Sequence, residues 1–122
     1  MISQKNAEHY LWGAGCDGWH LVKRDELSVI HERMPPATAE VRHFHRESRQ
    51  FFFVLSGTAT LEVDGQIEVL QAHEGAEVPP GLPHQMFNRS EEDMEFLVIS
   101  FGGVETPGFS YGEETPLFAS SR

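Results

Sequence analysis

The sequence predicts an all-β fold, an antiparallel sandwich or barrel, on three observations. No segment repeats its apolar residues at the 3.6-residue period of a helix. Short runs rich in β-branched and aromatic residues recur through the middle of the chain, each closed by Gly or Pro. Two alternating runs are joined by Asp64-Gly65, which suits a two-residue type I′ hairpin because both central residues there need positive φ.

Taken in order, the first expected strand runs from Leu27 to Met34 and stops at Pro35-Pro36, which cannot donate to a ladder. A short strand follows over residues 40–45, and a dense apolar one over 50–55 closes at Ser56-Gly57. Residues 58–63 alternate Thr and Glu with Ala, Leu and Val, the pattern of a half-exposed strand. The hairpin partner is Gln66 to Leu70. Another strand enters through Glu77-Val78 and ends at Pro79-Pro80-Gly81, and the next carries His84 to Asn88. Met94 to Phe101 is apolar on both parities, so both of its faces are expected to be covered, within the sandwich or by a partner subunit. Residues 1–26 carry Trp12 and Trp19 as packing anchors for an added strand. The tail 102–122 is rich in Gly, Pro and Ser, with Phe109, Tyr111 and Phe118 as possible docking points.

The 122 residues suit one domain, with a core over about 27–101. A net charge of −10 repels phosphate backbones and anionic lipid, so neither nucleic acid nor a membrane surface is an expected partner. The single cysteine, Cys16, cannot form an intrachain disulfide and reads as a small buried residue or a free thiol. With no apolar leader run at the N-terminus, the expected location is the cytoplasm.

Chemistry concentrates in the histidines. On a strand, residues two apart share a face, so His43 and His45 converge as a chelating pair, whereas on a helix this spacing would splay them. His84 follows the abrupt Pro79-Pro80-Gly81-Leu82-Pro83 turn. Three imidazoles with an open position describe a catalytic type of metal site rather than a closed structural one. His9, His20 and His31 read as surface residues and His73 as a turn residue.

Residues 37–57 resemble the first cupin motif: a glycine, five residues, His-x-His, a glutamate three or four residues on, then a glycine after six more. His43, His45 and Gly57 fit it, while Ala37 replaces the leading glycine and Gln50 the glutamate. Residues 73–88 resemble the second motif through Pro79, Gly81, His84 and Asn88, with His73 at its leading glycine. The resemblance implies a double-stranded β-helix (jelly-roll) barrel, a metal held inside it by His43, His45 and His84, and a homodimer. Asn88 is then structural, closing a turn.

Gln50 can offer its amide oxygen to a metal as a fourth ligand but cannot act as a carboxylate base, and it leaves the site one unit more positive. Its bland reading is a second-layer amide that orients a histidine or a water. Strand alternation puts Phe52 and Val54 on the Gln50 side and Met86 with His84 and Asn88, so Phe52 and Met86 are the expected pocket walls. Phe96, Val98 and Ser100 share one parity of the last strand, and alternation alone does not say which parity faces in. Arg42, Arg46 and Arg49 form no evident phosphate cluster. The expected function is a metal-dependent enzyme of oxygenase or isomerase type acting on a small oxygen-rich molecule, with no acid-base residue identified. The alternative is a non-catalytic module that binds a small molecule or the metal. Iron, manganese, nickel, zinc and copper all suit imidazole, so the ion is left open.

Overall fold

The computed structural model describes residues 1–102, and these hold ten strands and no helix. They are β1 (Glu8–Trp12), β2 (Cys16–Lys23), β3 (Leu27–Met34), β4 (Thr38–Ala39), β5 (Arg49–Ser56), β6 (Ala59–Val63), β7 (Gln66–Leu70), β8 (Gly75–Val78), β9 (His84–Asn88) and β10 (Met94–Phe101). A six-stranded sheet has the order β1-β2-β3-β10-β5-β8, and a four-stranded sheet the order β4-β9-β6-β7. Every pairing is antiparallel. The N-terminal stretch contributes two strands where one was expected, and the tail's Phe109, Tyr111 and Phe118 lie outside the described residues.

Alternation along each strand builds the core. Phe52 and Val54 of β5, Leu61 of β6, Met86 of β9, and Met94 and Phe96 of β10 are fully buried in one cluster. The parity left open on β10 is therefore settled: Met94, Phe96 and Val98 face in. On its other face Leu97 and Ile99 are only half-buried, flanked across the ladder by Phe53 and Phe51 on β5 and by His31 and Val29 on β3. Trp12 packs against the core, and its indole N–H donates to the Asp17 carbonyl at 3.2 Å. Cys16 is fully buried, and burial pushes its thiol pKa up against the opposing hydrogen bond of Thr38.

The hairpin forms as expected, with φ of 50° at Asp64 and 89° at Gly65. Two of the motif departures sit in the same region of backbone space. Ala37 and His73, both standing where the cupin motifs have glycine, adopt φ of 64° and 70°. Each keeps the glycine conformation and pays the steric cost of a Cβ, about 1–2 kcal/mol. Ala37→Gly removes that cost but loosens the unfolded chain by about 0.4–1 kcal/mol. The net expectation is a gain of a few tenths to about 1 kcal/mol, measured as a higher urea midpoint with an unchanged slope.

One expected element is corrected. Residues 40–45 are not a regular strand: Thr38 and Ala39 pair with Asn88 and Phe87, and beyond them His43 meets His84 in an isolated bridge. The chain takes five steps from Thr38 to His43 against four from Asn88 to His84, so one extra residue bulges out. Glu40 bridges the gap. Its amide donates to the Met86 carbonyl, and its own carboxylate accepts the Met86 N–H, both at 3.0 Å.

Candidate metal centre

The bulge aims the histidines. His43 and His84 exchange both backbone hydrogen bonds, at 3.1 and 2.8 Å, so their side chains emerge side by side on one face. His45 is brought in differently: its carbonyl accepts the Gly81 N–H at 2.8 Å, which ties it to the turn preceding His84. Gly81 reaches that position with φ of 85°, a conformation that favours glycine. The ring centroids then lie 4.6 Å (His43 to His84), 5.0 Å (His43 to His45) and 5.9 Å (His45 to His84) apart. One ring nitrogen from each falls within 4.8 Å of the others, and all three residues are buried. Among the described residues no carboxylate or thiol joins this cluster.

The rings are also held in the right sense. His43 Nδ1 lies 2.7 Å from the Val41 carbonyl, and His84 Nδ1 lies 3.1 Å from that of Leu82. A carbonyl only accepts, so these contacts favour the proton on Nδ1 and leave the Nε2 lone pair to ligate. Metal-binding histidines are anchored in this way. Burial, and then the neighbouring His43, push the His84 pKa well below the ordinary histidine range, which keeps the ring in its ligand form. The donor set fits a divalent ion of the imidazole-binding kind, held by His43, His45 and His84.

Gln50 lies beside them. Its Oε1 is 3.1 Å from His84 Nε2, and its Nε2 donates to Ser100 Oγ at 3.0 Å. Phe52 stands edge-on to His84 at 5.8 Å, and Met86 is fully buried one inward position along β9. Both side chains are thus buried in the interior, Phe52 against the His84 ring.

The remaining expectations sort by geometry. Asn88 is structural: its amide donates to the Met34 and Glu92 carbonyls, both at 2.8 Å, and its oxygen accepts the Ser90 N–H at 2.9 Å. Arg42 holds Glu62 with two bonds of 2.8 and 3.0 Å, and Arg49 holds Glu77 at 2.6 Å, while the Arg42 charge also adds to the lowering of the His84 pKa. His9 and His31 contact Asp17 and Glu95, each at 2.7 Å, and His73 sits in a turn. His20 departs from its surface reading. It packs 4.9 Å from the Tyr10 ring, its Nδ1 is buried without a hydrogen bond, and burial lowers its pKa.

Two serines on the inward parities of β10 and of the residues leading into β5 were not singled out from the sequence. Ser100 meets Gln50 across the β5–β10 ladder. Ser48 is 4% exposed, with its hydroxyl lacking a hydrogen-bond partner. Its place two residues before Gln50 was the available signal, since burial alternates through Ser48, Gln50, Phe52 and Val54.

The cupin domain family matches residues 30–100, more than half of the 122-residue chain. The chain belongs to the cupin family. Among curated proteins, this cupin is 23% identical over 91 residues to a mannose-1-phosphate guanylyltransferase of Salmonella montevideo. That match covers 75% of the chain but 19% of the relative, so the cupin spans about a fifth of that protein's length. An RmlC-like cupin from Shewanella frigidimarina is 25% identical, with a TM-score of 0.74 over 86% of this chain and 91% of that one. A sugar phosphate isomerase of the cupin superfamily from Silicibacter pomeroyi is 22% identical, with a TM-score of 0.74 over 88% and 76%. The jelly-roll barrel expected from the motifs is the fold observed.

Proposed function

We propose that this cupin holds one divalent metal ion through His43, His45 and His84, with Gln50 as a fourth ligand, and uses it on a small oxygen-rich molecule. The observation that carries the reading is the convergence of three buried ring nitrogens within 4.8 Å, two of the rings being anchored through Nδ1 to backbone carbonyls. When bound, such an ion supplies Lewis-acid polarisation of ligand oxygens, and iron adds redox chemistry.

The chain's own residues set the rest. Three neutral imidazoles and an amide leave both charges of the ion uncompensated, which favours an anionic oxygen ligand such as a carboxylate or enolate. Phe52 and Met86 wall the interior with apolar surface and limit water around that ligand. Oxygenase and isomerase chemistry both fit, and isomerisation is supported by the name of one structural neighbour. A non-catalytic binding role is the second reading, favoured by one observation. Gln50 stands in the carboxylate's place, so the cluster contains no carboxylate base among the described residues. The same reading includes a homodimer, supported by the half-buried Phe51, Phe53, Leu97 and Ile99 on the outer face of the large sheet, and a cytoplasmic location.

The test is elemental analysis of protein purified without a chelating tag, followed by reconstitution and substrate panels. About one metal per chain is the expected content, with turnover in an oxygenase or isomerase panel. Tight ligand binding without turnover would move the assignment to the binding module. Protein that neither carries a divalent metal nor takes one up would overturn the reading.

A further inference from the structure

We infer that Ser100 is a positioning residue that sets which end of the Gln50 amide faces the metal centre, an inference that rests on the metal-binding reading above. An amide has two unlike ends of nearly the same size, a donor and an acceptor, and only the oxygen can ligate a cation. Here the oxygen faces His84 Nε2 at 3.1 Å while the NH₂ group donates to Ser100 Oγ at 3.0 Å. His84 Nδ1 lies 3.1 Å from the Leu82 carbonyl, and in the tautomer that places the proton there, its Nε2 and the Gln50 oxygen face each other as two lone-pair donors. That arrangement is repulsive by itself and attractive around a shared cation.

The opposite amide orientation would let the NH₂ group donate to His84 Nε2, closing the lone pair a metal needs. Ser100 holds the observed orientation by accepting: its oxygen, two strands from the barrel edge at β8, receives the NH₂ group at 3.0 Å. Register fixes the placement: Gln50 pairs directly with Ser100 across the β5–β10 ladder, and Ser100 with Ser28 across β10–β3. All three lie on the inward parity, with Gln50 2% and Ser28 8% exposed. A carboxylate at position 50 has no such ambiguity, since either oxygen can ligate.

The experiment is a titration of metal-free protein with Co²⁺, read by its visible absorption, for the parent, Ser100→Ala, Ser100→Thr, Gln50→Ala and the double variant Gln50→Ala/Ser100→Ala. Circular dichroism of the metal-free proteins checks that each is folded. Ser100→Ala is expected to weaken Co²⁺ binding about tenfold or more, the usual loss for a residue that orients a ligand. The Co²⁺ spectrum is expected to shift toward that of Gln50→Ala. Ser100→Thr, which keeps the hydroxyl, restores both affinity and spectrum. Once Gln50 is alanine, removing Ser100 should cost nothing further, the signature of two residues acting as one. Additive losses, or a Ser100→Ala protein that binds and absorbs like the parent, overturn this inference and leave the metal site standing. A parent protein that binds no Co²⁺ overturns both.

Discussion

His84→Ala is expected to reduce metal affinity by more than about a hundredfold, beyond the range seen when a ligand's supporting residue is lost. Three features concentrate the effect at this side chain. His84 meets every member of the cluster, its ring centroid 4.6 Å from that of His43 and 5.9 Å from that of His45, and its Nε2 3.1 Å from Gln50 Oε1. It is also 1% exposed, so no water-facing group can take its place. Its ring is oriented before any ion arrives, through the Leu82 carbonyl. Stability should respond differently. Truncating a buried ring leaves a cavity costing on the order of 2–4 kcal/mol, yet it also removes three polar rings' mutual crowding. Metal content by elemental analysis and calorimetric melting of the metal-free protein separate the two effects. A His84→Ala protein that keeps stoichiometric metal would remove His84 from the ligand set.

Gly57→Ala is expected to be the most destabilising single-methyl change in the described barrel, costing on the order of 2–4 kcal/mol. Gly57 joins β5 to β6 with φ of 80°, which alone costs an alanine about 1–2 kcal/mol. A Cβ there would also stand 2.6 Å from the Asp93 carbonyl oxygen and 2.8 Å from Met94 Cα. Both are backbone atoms at the start of β10, so relief requires moving a strand rather than turning a side chain. Gly65 is the internal control. Its φ of 89° is just as demanding, but nothing lies within 4 Å of its added Cβ. Gly65→Ala should therefore lose only the conformational part. Chemical denaturation of both variants decides the matter: equal losses would mean that φ alone, and not the approach of β10, requires the glycine at 57. A total stability of about 5–15 kcal/mol makes the Gly57 effect a large fraction of what the fold has.

Much of the barrel was legible in the residues themselves. The bounds of β3, β7, β9 and β10 followed from alternation and from the Pro and Gly that end each run, because a missing N–H or a positive φ acts locally. The same local logic picked out His43, His45, His84 and Gly57, and it placed Phe52 and Met86 on their inward parities. The two N-terminal strands were less legible, since β1 reads EHYLW and leaves most of its residues exposed.

What only the tertiary structure decided is everything that depends on a second strand. Alternation says which residues share a face but not which face is inside, so β10 resolved only when its Phe96 and Val98 met the core. The convergence of His43 and His45 was argued from a regular strand, and the chain reaches it through a bulge and the Gly81–His45 bond instead. Ser100 lies fifty residues from Gln50 along the chain, and its role exists only because β10 pairs with β5 in that register. Local patterns specify the conformation of a segment because sterics and hydrogen bonding act over a few residues. The orientation of one amide inside a barrel is set by a neighbour that only the folded register supplies.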